Sequence, residues 1–148
     1  MIKQINRNFA DPNIKGEIYF SAKSVFHKPD VNLQKRLTKK EYKYLSLSPE
    51  NNRIKRIEPQ NPIDPVIETI DEKNIKFKWQ RGKDAKRFVI YKFRKNKPAN
   101  INDPQHIVEV TGLTEITLPV KKKDLDKYRY GITSLSPSHS ESAIVYFN

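Results

Sequence analysis

The chain of 148 residues contains no cysteine, only four glycines and no long apolar run. The absence of cysteine excludes disulfide bonds and thiolate metal sites. Four glycines leave little material for a glycine-rich phosphate loop. A membrane-spanning helix needs about 20 mainly apolar residues in a row, and the N-terminus lacks the apolar stretch of a signal peptide. We therefore expect neither a membrane span nor an export signal in this sequence.

The composition is lean in core-forming residues, with 36% hydrophobic and 31% charged side chains and a mean hydropathy of −0.80. One well-formed domain of about 90 residues with a poorly buried remainder fits these values better than one large globule.

The formal net charge is +12, and the excess of basic residues is spread along the whole chain. A diffuse positive field favours polyanions at low salt. The simpler interpretation is a solvated basic surface, because charge alone informs about solubility and association rather than fold.

The C-terminal part alternates apolar and polar residues with a period of two, and turn signals separate the runs. Short antiparallel strands at this spacing predict a sandwich or a barrel. We therefore predict a mainly β fold, an immunoglobulin-like sandwich, with a core that includes Ile75, Phe77, Trp79, Ile132 and Val145. The seven candidate strands are 66–70, 74–79, 87–93, 106–112, 115–120, 128–135 and 141–147.

The N-terminal part predicts a different pattern of secondary structure. Residues 16–26, "GEIYFSAKSVF", predict a short strand that runs into a helix, and Asp30 is a plausible N-cap for a helix over 30–41. Residues 48–65 hold four prolines and few apolar side chains, which predicts a linker.

Several segments, in order along the chain, together resemble the C-terminal end of the bacterial family-10-like glycosyl hydrolases. These are "KGEIYFSAKSVF" (15–26), "YKYLSLSP" (42–49), "IKFKW" (75–79), "RFVIYKF" (87–93) with "INDPQHIVEV" (101–110), and "YRYGITSLSPSHSES" (128–142). The family has a (β/α)₈ barrel followed by a fibronectin type III-like domain, and its eighth barrel strand resembles G-E-I-Y-F-S-A-K-S-L. Here Val25 stands in place of the final leucine.

The resemblance implies that residues 1–47 are the remnant of a TIM barrel, 48–65 a linker and 66–148 a fibronectin type III-like domain. It also implies a parent protein of the cell envelope, periplasm or exterior that hydrolyses peptidoglycan or related glycans. The partners implied are the missing N-terminal barrel of the same protein and a cell-wall glycan.

We expect no enzyme activity in this fragment, although the parent resembles a glycoside hydrolase. A glycosidase needs two carboxylates about 5–9 Å apart, and the barrel-derived part offers Asp11, Glu17, Asp30 and Glu41 without an evident pair. In the parent barrel only, Ser21 and Lys23 would point inward and line the substrate site. We expect no catalytic residue, metal or cofactor in this chain.

Two other functions stay open from the sequence. One is a stand-alone protein-interaction or adhesion sandwich, since this architecture hosts many such modules. The other is binding of a polyanion such as nucleic acid. Against that option, Lys76 and Lys78 lie on the strand face opposite to Phe77 and Trp79, whereas single-strand binders interleave basic and aromatic residues on one face.

Overall fold

The computed structural model describes residues 7, 8, 10–13, 35 and 37–148. The chain divides into two compact units, Met1–Lys43 and Tyr44–Asn148. In the first unit, the side chain of Asp11 accepts a hydrogen bond from the Asn13 N–H at 2.9 Å, which closes a turn. Leu37–Glu41 forms one π-helical turn at the end of the predicted helix. The predicted strand and helix start at 16–26 and Asp30 lie outside the described residues.

The second unit is a seven-stranded sandwich, as the sequence predicts. One antiparallel sheet has the strand order β1-β2-β5, and the other has β4-β3-β6-β7. The two sheets with this strand order form a fibronectin type III-like, immunoglobulin-like sandwich. The strands are β1 (Ile63–Thr69), β2 (Ile75–Gln80), β3 (Arg87–Arg94), β4 (Ile107–Thr111), β5 (Glu115–Leu118), β6 (Tyr128–Leu135) and β7 (Val145–Tyr146).

The core lies between the sheets and is rich in aromatic rings. Trp79 is 4% exposed, as predicted, and its ring meets that of Phe88 edge-on at 5.3 Å between centroids. The Phe77 ring packs against those of Tyr130 at 5.2 Å and Phe147 at 5.0 Å. Such pairs contribute about 0.5–1.5 kcal/mol beyond their buried area. Burial of Ile75, Phe77, Trp79 and Ile132 is confirmed.

Val145 differs from the prediction, because it is only half buried. The predicted strand over 141–147 shortens to a bridge between Leu135 and Glu141 and to the two residues of β7. Backbone and side-chain hydrogen bonds still join this segment to β6. The Ser142 N–H donates to the Ser134 carbonyl at 3.0 Å, and the Ser142 hydroxyl accepts a hydrogen bond from the Ser134 N–H at 2.9 Å.

Strand β1 begins at Ile63, inside the stretch predicted to be a linker. A bulge between Ile63 and Val66 accommodates Pro65, which has no N–H for the ladder. Asp64 adopts a positive φ of 47° at this bulge. Edge strands tolerate such irregularity, and the strand therefore starts three residues before the predicted boundary at 66.

The preceding proline-rich segment also packs on the sandwich. Pro59 and Pro62 are buried, and the Gln60 N–H donates to the Lys83 carbonyl at 3.0 Å. Gly82 permits this approach, since a Cβ there would lie 2.5 Å from the Asn61 carbonyl oxygen. Within the predicted linker of 48–65, the buried prolines and the start of β1 thus belong to the sandwich, whereas residues 51–56 are exposed.

The four-stranded sheet is apolar on both faces. Phe88 and Ile90 of β3 face the core between the sheets, whereas Val89, Tyr91 and Phe93 belong to a second buried cluster on the opposite face. Strand β3 pairs with β6 along its full length, from Arg87–Leu135 at one end to Arg94–Tyr128 at the other. The two ends of this strand pair carry different chemistry.

Candidate ligand-binding groove

A basic groove lies where β3 ends and β6 begins. The helical turn α1 (Asp124–Lys127) leads directly into β6. The Lys95 N–H donates to the Lys127 carbonyl at 3.0 Å, which holds the turn after β3 against α1. This backbone contact brings residues 94–97 beside residues 124–128, although some thirty positions separate them in the sequence.

The groove consists of two adjoining hollows that share Arg94 and Tyr128. Their volumes are about 470 Å³ and 630 Å³. The first hollow is lined by Arg94, Lys95, Asn96, Asp126, Lys127 and Tyr128. The second is lined by Lys92, Phe93, Arg94, Lys97, Pro98, Gln105, His106, Val108 and Tyr128.

Four exposed cations give the groove its charge: Arg94, Lys95, Lys97 and Lys127. Among the residues that the structure describes, none of the four has a carboxylate within ion-pair distance. Asp126 is the one acidic residue in the lining. A concave surface lined by one sign of charge concentrates ligands of the opposite sign, so the groove favours an anion.

Tyr128 forms the floor, and Lys92 lies against it. The Lys92 ammonium is 4.0 Å from the Tyr128 ring centroid and 3.0 Å from Asp124 Oδ2. Partial burial lowers the pKa of Lys92, but the hydrogen bond to Asp124, the neighbouring Tyr130 and the charge of Asp124 together outweigh it and raise that pKa above its ordinary value. The same hydrogen bond from Lys92 lowers the pKa of Asp124. Both groups therefore stay charged and fix the floor.

The far wall is positioned by a short 3₁₀ helix, Pro104–His106. Asp103 caps it by accepting a hydrogen bond from the Gln105 N–H at 3.0 Å. The His106 ring tilts against Phe93 with 5.0 Å between centroids. The wall thus presents Gln105, which can donate and accept hydrogen bonds, next to an aromatic pair.

The arrangement is chemically suited to holding a ligand that has both a ring surface and negative charge. Tyr128 offers an aromatic body with a polar tip. Arginine and lysine bind carboxylates by charge-assisted hydrogen bonds, and arginine does so in two-pronged geometry. The side-chain amide of Gln105 can form hydrogen bonds with the neutral hydroxyls of such a ligand.

The predicted site residues Ser21 and Lys23 lie outside the described residues, so their role remains a prediction. The groove itself was missed, because its cations come from segments far apart in sequence. One signal was present: Lys92 shares the strand parity of Phe88 and Ile90, a charged residue in an otherwise apolar set.

The basic residues of β2 behave as the alternation predicts. Lys76 pairs with Glu115 at 3.0 Å, and Lys78 pairs with Glu68 at 2.7 Å. Both ammonium groups are therefore neutralised on the face opposite to Trp79. Across 37–148 and the few described positions before it, no group of three or more potential metal ligands is found. No helix among the described residues is long and apolar enough to cross a bilayer.

Comparison with known proteins finds no matching protein-family model and no matching curated protein. Among solved structures, the sandwich is similar to FN3tt, with 15% identity and a TM-score of 0.49 over 62% of this chain and 92% of that one. A Fn3-like protein from Clostridium thermocellum matches over 62% of this chain and 94% of its own, with 12% identity and a TM-score of 0.44.

A glycoside hydrolase structure is also similar in part. The glycoside hydrolase domain of Endo-D from Streptococcus pneumoniae R6 matches 62% of this chain with 14% identity and a TM-score of 0.46, over 15% of its own length. Likeness at this level of identity concerns the fold. The sheet order and core described above carry the fold assignment for this chain.

Proposed function

We propose that the chain is a non-catalytic accessory domain of a glycosyl hydrolase-like cell-envelope protein, and that its basic groove holds an anionic cell-wall glycan. The parent, through the barrel that residues 1–47 resemble, would act on peptidoglycan or a related glycan. Ser21 and Lys23 would line the substrate site of that barrel, and the sandwich would keep the barrel near its substrate.

The observation that carries the proposal is the position of Tyr128 among four exposed cations. Peptidoglycan glycan strands alternate a neutral amino sugar with one that bears a lactyl carboxylate. A neutral ring on Tyr128 would place a neighbouring carboxylate near Arg94 or Lys97, which line the same hollow. The groove therefore offers an aromatic surface for a neutral ring and cations for a carboxylate in one hollow.

Calorimetric titration of the 148-residue chain with glycan strands freed of stem peptides tests this. Chito-oligosaccharides are the matched ligand control, because they have a similar backbone without carboxylates. We expect binding of the glycan strands at about 150 mM salt, where long-range charge effects are screened, and much weaker binding of the neutral oligomers. Equal affinity for both ligands would contradict the proposal.

A pair of double variants separates the groove from net charge. Arg94→Gln with Lys97→Gln removes two groove cations and should weaken binding at least about tenfold, since the loss of even one hydrogen bond to a charged group costs about 1.5–3 kcal/mol. Lys73→Gln with Lys83→Gln removes the same charge from exposed sites elsewhere and should leave affinity unchanged. Equal loss in both would show non-specific attraction.

Nucleic acid is the second candidate ligand, because the same four cations could contact phosphates. Non-specific binding of that kind weakens steeply with salt. A gel shift with single-stranded DNA that persists at about 150 mM salt, and that fails with the Arg94 and Lys97 variant, would favour this alternative. Without such a shift, an interaction module for glycan is the better account.

A further inference from the structure

A second, smaller cavity lies at the opposite end of the β3–β6 pair, beside Arg87 and Leu135. Its volume is about 140 Å³. Strand geometry places it roughly 24 Å from the Tyr128 end, at about 3.4 Å per residue. It is lined by Ser46, Leu47, Ser48, Lys86, Arg87, Val110, Leu135, Ser136 and His139.

The cavity has an apolar floor and a cationic rim. Leu47, Val110 and Leu135 supply the floor. Lys86 and Arg87 are exposed at the rim, and no acidic residue is present in the lining. Within the part of the chain that the structure describes, neither cation has a carboxylate within ion-pair distance. Their charge is therefore available to a ligand.

His139 is held at the rim by an unusual backbone. Its φ is +64°, a conformation that residues other than glycine seldom adopt. The His139 N–H donates to the Ser136 carbonyl at 3.1 Å, and the Asn51 N–H donates to the Ser138 carbonyl at 2.9 Å. These bonds hold the turn in place, so that the side chain of His139 lies at the mouth of the cavity. Such outliers cluster at ligand sites.

The volume and the lining of the cavity suit a small ligand that has one apolar group and one negative charge. A cavity of about 150 Å³ accommodates benzene, which has six heavy atoms. An alanine unit with its terminal carboxylate also has six. Its methyl group suits the floor of Leu47, Val110 and Leu135, and its carboxylate suits the Arg87 guanidinium, whose fork matches that group.

We propose that this cavity binds the C-terminal carboxylate of a peptide that ends in alanine or a similarly small residue. The site is separate from the groove and does not depend on the glycan proposal. Since the glycan titration uses strands without stem peptides, each proposal can fail alone.

Two-dimensional NMR titration of the full chain with N-acetyl-D-alanine and N-acetyl-L-alanine tests the inference. We expect amide shifts at Arg87, Ser136 and His139, and none at Lys95 or Lys127. N-acetylalanine amide lacks the charge, and N-acetylleucine is too large, so both should bind at least about tenfold more weakly. A preference for the D form would indicate wall stem peptides, and a preference for the L form would indicate protein C-termini.

Variants connect the shifts to the site. Arg87→Gln should weaken binding about tenfold, whereas Lys83→Gln, an exposed cation outside the cavity, should have no effect. His139→Gly suits the positive φ and should preserve thermal stability while it weakens binding. The inference is overturned if the amide binds as well as the acid, if no shifts occur, or if Arg87→Gln and His139→Gly both bind like the unaltered chain.

Discussion

The two ends of the β3–β6 strand pair differ in how they treat polar atoms. At the Leu135 end, the serine turn (residues 136–142) buries its hydroxyls. Ser138 is fully buried, and its Oγ lies 2.8 Å from Ser136 Oγ and 3.1 Å from Ser140 Oγ. At the Tyr128 end, the cations stay exposed in the groove. Short hydroxyls can satisfy one another inside a protein, whereas an isolated buried ammonium is costly.

The buried hydroxyls of the serine turn and the exposed cations of the groove have different roles. The serine turn ties residues 50–57 to the sandwich, because the Ile57 N–H donates to Ser138 Oγ at 3.0 Å and Ser140 Oγ donates to Glu50. Glu50 in turn meets Arg56 at 3.2 Å. The buried hydroxyls of the serine turn therefore contribute mainly to stability, whereas the exposed cations of the groove contribute little to stability and remain free to bind.

The largest effect should come from the core that supports both ends. Trp79→Ala should reduce the free energy of unfolding by about 3–5 kcal/mol, because it removes a large buried ring and leaves a cavity. Urea unfolding measures this, with Leu113→Ala as the control, since Leu113 is 63% exposed. A loss similar to that of the control would contradict the sandwich core.

Ser138→Ala should reduce the stability of the fold through the serine turn alone. The change leaves the Ile57 N–H without its partner and breaks the hydroxyl chain, which should cost about 1–3 kcal/mol. Ser48→Ala, at an exposed serine, is the control. Urea unfolding should show the loss while glycan affinity at the groove stays unchanged. If groove affinity fell in parallel, the two ends would not be independent.

The smallest effect concerns the Lys92–Asp124 pair, whose side chains are 29% and 28% exposed. Asp124→Asn should cost about 0.5–1 kcal/mol near neutral pH, as for other partly exposed pairs. Asp126→Asn is the control, since Asp126 is exposed and is not in this pair.

The pH dependence follows from the signs of the two shifts. Because the pKa of Asp124 is lowered in the fold, its ionised carboxylate stabilises the fold at pH values above its ordinary pKa, about 4. This stabilisation is lost as pH falls through the folded-state pKa. Because the pKa of Lys92 is raised in the fold, its charged ammonium stabilises the fold at pH values below about 10.4. This stabilisation is lost as pH rises through the folded-state pKa. Unfolding measured across pH should show a weaker acid limb for Asp124→Asn than for the control.

The sequence predicted the sandwich well because its strands follow a simple rule. Ile75, Phe77 and Trp79 alternate with lysines, and only a half-buried strand explains that spacing. The serine turn could not be recognised in this way. Its buried residues are polar, and their burial depends on partners such as Glu50 and Ile57 some eighty to ninety positions away.

The proline-rich segment shows a related limit. Its composition predicted a linker, but Pro59, Pro62 and Pro65 are buried. Proline disfavours a central strand without preventing a segment from packing through its rings. The groove depends on a contact between Lys95 and Lys127 that no local motif encodes. The barrel remnant, with Ser21 and Lys23, stays a prediction.

The central claim is that the Tyr128 end binds the glycan, whereas the buried hydroxyls of the serine turn hold the fold. Amide shift mapping of the full chain with glycan strands freed of stem peptides tests it most directly, at about 150 mM salt. The account predicts shifts confined to residues 94–97, 105–106 and 124–128, with the serine turn unchanged. Shifts centred on residues 136–142, or scattered over exposed lysines such as Lys73 and Lys83, would contradict it.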